Sequence, residues 1–181
     1  MGVMDEVLTL FQRRGSSAYF GESVSMTEHA LQAAFFARAE SAPSALIVAA
    51  LLHDVGHLVE EVPDDLADWK VDAHHEQVGS RWLAHRFGLE VSEPVRLHVP
   101  AKRYLCATDP EYFATLSSAS VATLELQGGP LSVDEAALFQ TERFHREAVR
   151  VRRWDDRGKV AGLKTPGVAD YRTLIEELTI G

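Results

Sequence analysis

The 181-residue sequence has a single cysteine, Cys106, so no internal disulfide can form and a reducing compartment is the simpler setting. Long apolar runs are also missing. The longest strongly apolar stretch is ALIVAALL, residues 45–52, far short of the roughly 18 residues that a bilayer span requires. Positive charge is scarce: 18 Lys and Arg against 27 Asp and Glu leave a net charge of −9. That balance argues against a nucleic-acid surface, although it leaves room for a small basic pocket. The opening residues, MGVMDEVLTLFQRRG, lack a secretory-leader pattern, and Glu6 stands where a myristoylation signal needs Ser or Thr. The expectation is a soluble cytoplasmic protein without nucleic-acid or membrane partners. Its oligomeric state is left open.

Alternating Val/Ile/Thr-rich segments, repeats and low-complexity linkers are absent as well, which points away from a sheet and from several domains. What remains is helical periodicity, with 46% hydrophobic residues to build a core. Residues 3–13 carry Met4, Val7, Leu8 and Phe11 on one face and stop at Gly15. Residues 15–25 are rich in Gly and Ser and read as a loop. Thr27 is placed to cap the next helix, EHALQAAFFARAE. Further helices are expected over 44–61 and over 75–88 up to Gly88, with an irregular connection over 61–73. Ser92 and Pro94 open a short helix that Pro100 should end or kink. Residues 110–126 come next, and QGGP breaks them. Ser132 with Glu135 forms a capping box for a long helix to about Trp154, and VADYRTLIEEL closes the chain. The predicted architecture is a single all-α domain over 1–181.

Against this apolar background, LLHDVGHLVE (51–60) carries three ionisable residues on its way into the core. His53 and His57 are four apart and should share a helical face, with Asp54 beside His53. A carboxylate among Leu and Ala is unfavourable unless it is paired or binds a metal. An isolated His–Asp pair reads as an internal hydrogen bond. Here, however, His29, His75, His98 and Asp155 lie near helix starts, a helix-ending proline or a helix end, where side chains of a bundle converge. Four histidines and two aspartates of this kind suit iron, manganese or zinc. Composition leaves a metal centre and a hydrogen-bonded core as alternatives.

The order His29, His53-Asp54, Asp155 resembles the HD-domain superfamily of metal-dependent phosphohydrolases, and the intervening His75 and His98 resemble its two-metal members. The stretches AYFGE, EHALQAAFFA, AALLHDVGH, HEQVG, HVPAKRYL, LSSASVATLELQGGP and RRWDDRGK are similar to a smaller branch. That branch comprises the mixed-valence diiron oxygenases typified by 2-amino-1-hydroxyethylphosphonate dioxygenase, themselves similar to myo-inositol oxygenase. The resemblance runs through nearly the whole chain and implies an HD-domain helical bundle.

It further implies that His29, His53, Asp54 and Asp155 hold one iron, that Asp54, His75 and His98 hold the second, and that Asp54 bridges a Fe(II)/Fe(III) pair. Three protein ligands leave the second iron open to substrate. The resemblance makes Tyr19 a group that covers the substrate-free iron from a mobile active-site loop over 15–25, and gives Glu22 the ammonium end of the substrate. Lys102 and Arg152 would bind the phosphonate, with Ser120 and Thr123 as hydroxyl donors and His57 close by. The implied activity is O2-dependent cleavage of a C–P bond in a 1-hydroxy-2-(amino or trimethylammonio)ethylphosphonate, giving phosphate and glycine or glycine betaine. Hydroxymethylphosphonate, without nitrogen, is a third substrate of the branch. A metal-dependent phosphohydrolase is the alternative, and a non-catalytic ligand sensor a more distant one. His74, His85 and His145 are read as surface histidines, Trp69, Trp82 and Trp154 as packing residues, and Arg103 and Arg153 as solvent-facing.

Overall fold

A computed structural model describes residues 2–59 and 74–180; Trp69 and the connection over 61–73 lie outside the described residues. The helices are α1 (Val3–Arg14), α2 (Met26–Ala39), α3 (Ser44–Leu51), α4 (Val55–Val59), α5 (His75–Ala84), α6 (Leu89–Thr108), α7 (Pro110–Thr115), α8 (Ser118–Leu126), α9 (Val133–Phe139), α10 (His145–Arg157) and α11 (Arg172–Leu178). A 3-10 turn at Val168–Tyr171 leads into α11, and no strand occurs among the described residues. The fold is all-α, as the periodicity predicts.

Helix α6 is the spine of the bundle. It packs on α3, α5 and α10, and α10 packs in turn on α2 and α3. The main apolar cluster draws on α1–α6, α10 and the C-terminal turns, with Val48, Leu52, Leu83, Val95, Val151 and Ile175 fully buried. A smaller cluster of Leu97, Ala101, Phe139, Phe144 and Ala148 seats α9 and the start of α10 against α6.

Several boundaries differ from the sequence reading, each for a local reason. Ser25, not Thr27, caps α2: its hydroxyl accepts from the Glu28 amide at 3.2 Å, and Glu28 returns the bond to the Ser25 amide at 2.7 Å. The Ser–x–x–Glu spacing decides the start. The helix expected over 44–61 breaks at residues 52–54, between α3 and α4. Pro94 and Pro100 both lie inside α6, which runs through to Thr108. Each removes one ladder donor, and burial of Val95, Leu97, Val99, Ala101 and Leu105 holds the helix regardless. The expected 110–126 helix splits where Ser117 caps α8 by accepting from the Ser120 amide at 3.2 Å. The Ser132–Glu135 capping box forms (2.7 and 3.2 Å), but its helix ends at Phe139 and α10 starts afresh at His145.

Residues 15–25 form a small hairpin rather than an open loop. Tyr19 N–H donates to the Val24 carbonyl at 2.9 Å, and Glu22 N–H closes the tip on the Tyr19 carbonyl at 2.7 Å. Phe20 (φ 38°) and Gly21 (φ 78°) both take left-handed conformations there. That is natural for glycine and strained for a bulky aromatic.

Candidate metal centre and adjoining cavity

The break at 52–54 is what turns His53 and Asp54 inward. Packing fixes it, because the α4 backbone lies against the start of α5. A Cβ on Gly56 would sit 2.0 Å from the His75 carbonyl oxygen, and one on Gly79 would sit 3.1 Å from the Gly56 amide nitrogen. Only glycines allow so close an approach, and it carries His75, the first residue of α5, to Asp54.

Five side chains meet around Asp54 in two groups. In the first, His29 Nε2 lies 3.0 Å from His53 Nε2, 3.6 Å from Asp54 Oδ2 and 3.3 Å from Asp155 Oδ1. In the second, His75 Nε2 lies 3.2 Å from His98 Nε2 and 3.4 Å from Asp54 Oδ1, with His98 Nε2 3.6 Å from the same oxygen. The two oxygens of Asp54 thus face different groups. All six residues are buried.

These residues fit metal ions better than they fit one another. Ring Nδ1 atoms of His29, His53 and His98 lie 2.9, 2.8 and 2.7 Å from the carbonyls of Gly158, Ala50 and Val95. A carbonyl only accepts, so Nδ1 carries the proton and a neutral ring presents a lone pair at Nε2. Paired lone pairs 3.0 Å apart repel unless a cation lies between them. Asp54 Oδ2 and Asp155 Oδ1, both aimed into the first group, have no hydrogen-bond partner. The spacings also suit coordination, since ligands about 2.1 Å from one ion at right angles lie about 3 Å apart.

Electrostatics point the same way. Burial alone would raise the pKa of Asp54, but His53 and His75 hold it well below the usual carboxylate range. Burial likewise opposes ionisation of Asp155, and the Arg152 guanidinium and His29 outweigh it. Burial, reinforced by His75 and His53, drives the His98 pKa down to about 3. Burial also disfavours the charged form of His53, yet Asp54 and Asp155 bring its pKa up to about 9. Positive charge is thus favoured beside the two aspartates, which suits a metal cation.

A cavity opens beside the second group. Asp54, Asp155, His75 and His98 contribute its floor, and Lys102, Ser120, Thr123 and Arg152 its polar wall. Tyr19, Phe20 and His57 also line it. Lys102, only 1% exposed, donates to Thr123 Oγ1 at 2.9 Å. Arg152 Nη1 holds Asp155 Oδ2 at 2.7 Å, leaving the other oxygen for the metal group. Burial would lower the Arg152 pKa, but Asp155 and Asp156 keep it well above its ordinary value. The Tyr19 ring stacks on His29 with centroids 3.7 Å apart. Burial, with Asp54 and Asp155 close by, pushes its phenol pKa well above the ordinary value.

Three sequence expectations, those on His57, His145 and Arg103, need correction. His57 does not share a face with His53, because the break separates them; it sits on α4, stacked on His75 (4.0 Å) with the Phe20 ring edge-on at 4.8 Å. Glu22 is not on the cavity wall: Ser117 Oγ donates to its Oε1 at 2.6 Å, with Lys159 Nζ 3.5 Å away. His145 is half-buried, its Nδ1 2.7 Å from the Glu142 carbonyl, because the start of α10 folds it against Phe139. Arg103 is half-buried too, and donates to the Gly129 carbonyl at 2.8 Å. His74 and His85 are exposed, as is Arg153; Trp82 is half-buried, and Trp154 is buried with its indole N–H on Glu40.

Sequence reasoning missed Tyr112, Asp156, Phe20, Gln127 and Lys159. Tyr112 OH donates to Asp156 Oδ2 at 2.6 Å, and both accept from Arg152 Nε, at 3.0 and 3.1 Å. A tyrosine 40 positions from its partner leaves no local signal. The doubled aspartate after Trp154 was the available hint for Asp156.

Residues 26–156 match the model of the HD domain. The chain belongs to the HD-domain family. This HD-domain chain is 47% identical over 172 residues to hydroxymethylphosphonate dioxygenase of Gimesia maris, covering 92% of the chain and 83% of that relative. It is 41% identical over 169 residues to the glycine-betaine-forming [1-hydroxy-2-(trimethylamino)ethyl]phosphonate dioxygenase of Leisingera caerulea, covering 93% and 86%.

Proposed function

We propose that the protein is a non-haem diiron oxygenase that uses O2 to cleave the C–P bond of a small 1-hydroxyphosphonate, yielding phosphate and the corresponding carboxylic acid. The observation that carries this reading is the pair of buried His/Asp groups sharing Asp54, next to a cavity walled by Lys102 and Arg152. The relatives' names supply the reaction class.

His29, His53, Asp54 and Asp155 would hold one iron, and Asp54, His75 and His98 the other. A bound mixed-valence pair would supply the redox chemistry with O2, and the protein supplies position and charge. Lys102 and Arg152 receive the phosphonate dianion through charge-assisted hydrogen bonds, assisted by the hydroxyls of Ser120 and Thr123. That places C1 and its hydroxyl toward the second group, which has one protein ligand fewer. His57 lines the same cavity and is a candidate donor to the phosphonate. Tyr19, on His29, excludes water until substrate arrives. Overall, the C1–H and C–P bonds break, O2 is reduced, and its two oxygen atoms balance a carboxylate plus phosphate.

Aerobic assays of the iron-loaded protein test this, with hydroxymethylphosphonate and the 2-amino and 2-trimethylammonio 1-hydroxyethylphosphonates side by side. Phosphate release matched by O2 uptake is expected for at least one of them. Release of phosphate from esters without O2 consumption would instead establish a phosphohydrolase.

A further inference from the structure

Lys159 does not line the cavity, yet its side chain is only 13% exposed. An ammonium is unfavourable there unless partners surround it, and specific contacts hold this one. The Gly158 carbonyl is tied to α2 through His29 Nδ1 at 2.9 Å. Gln32, one turn further along α2, grips Val160 in both directions, donating to its carbonyl at 2.8 Å and accepting from its amide at 2.9 Å. With both neighbours fixed, Lys159 is turned inward. Its Nζ lies 2.8 Å from Ser120 Oγ, 3.5 Å from Ser117 Oγ and 3.5 Å from Glu22 Oε1.

Ser120 and Thr123 are one helical turn apart on α8, and Thr123 Oγ1 takes Lys102 Nζ at 2.9 Å. Each hydroxyl of the cavity wall therefore has a lysine ammonium against it. Arg152 is a third cation on the same wall. A phosphonate has three oxygens, and this arrangement offers a cation for each.

We propose that Lys159 is a further anion-binding residue of this site, completing a three-cation cradle with Lys102 and Arg152, and that Glu22 is the counter-ion that occupies it beforehand. The proposal rests on the phosphonate reading above. Of the contacts to Lys159, those to Glu22 and Ser117 are long, and Glu22 Oε1 already accepts from Ser117 at 2.6 Å. A dianion arriving at Ser120 offers the ammonium a stronger partner. Glu22 closes the hairpin tip that carries Tyr19 and Phe20, so transfer of Lys159 to the anion also removes an ion pair that holds that tip down.

Methylphosphonate is the probe, because it lacks the hydroxyl needed for oxidation. It is titrated calorimetrically, without O2, into the iron-loaded protein. Lys159→Met should weaken its binding about tenfold or more, the loss expected for one hydrogen bond to a charged group. Lys159→Arg should restore most of that loss, and Glu22→Gln should tighten binding. Iron content should match wild type in all three, and each variant should unfold in one cooperative transition. Equal affinities for wild type and Lys159→Met would overturn the proposal while leaving the phosphonate reading intact. If Lys159→Met does not fold, Glu22→Gln decides: tighter binding supports the proposal, and unchanged or weaker binding overturns it. A wild-type protein that neither binds methylphosphonate nor releases phosphate from any hydroxyphosphonate would overturn the phosphonate reading itself.

Discussion

Asp54 is the residue on which both metal groups depend, since Oδ2 faces His29 and His53 while Oδ1 faces His75 and His98. Asp54→Ala should therefore empty both sites together. Metal analysis of the purified variant should find well under one equivalent of iron, and two full equivalents would refute the shared role. Lys102 calls for a different measurement. Lys102→Met keeps most of the buried stem and removes the charge next to Thr123. The Michaelis constant for the phosphonate should rise about tenfold or more, with turnover changed far less, because a contact made before and during reaction acts uniformly. Asp156 acts through Arg152, whose Nε and Nη2 it holds. Asp156→Asn should raise the same constant severalfold while iron content stays near wild type, and parallel loss of both would assign it a purely structural role.

Element by element, the sequence disclosed which segments are helical far better than where they stop. Periodicity and the Ser132–Glu135 box were legible because they are local. The break at 52–54 was not, because it is set by α5 pressing on Gly56 from outside the segment. Pro100 misled in the opposite direction, since burial of α6 outweighs one lost ladder bond. The six residues of the candidate metal centre stood out as His and Asp in an apolar context, but it was the HD-family resemblance, not composition, that singled them out as metal ligands. Tyr112, Lys159 and Gln32 did not stand out, since ordinary residue types reveal a role only through distant partners. Gly56 gives the sharpest element-scale prediction. In Gly56→Ala the new methyl meets the His75 backbone carbonyl, so α4 and α5 must separate. A stability loss of about 2 kcal/mol or more is expected from such overpacking, together with selective loss of the metal that His75 and His98 would hold. Chemical denaturation and metal analysis read the two effects separately.

Across the whole molecule, removing metal should cost stability because buried Nε2 lone pairs and two unpartnered carboxylate oxygens are left facing one another. An ion present at about a thousand times its dissociation constant contributes about 4 kcal/mol, or roughly 10 °C in melting temperature for a chain of this size. Differential scanning calorimetry of chelator-treated and iron-restored protein should show that gap, and coincident transitions would contradict it. The first group joins residues as far apart as His29 and Asp155 in a chain with a single cysteine, Cys106. Coordination there would do what a covalent crosslink does elsewhere: it would fasten a long arc of backbone and shrink the disorder open to the denatured chain. For this polypeptide, acquiring metal and completing its fold would then be two sides of one event.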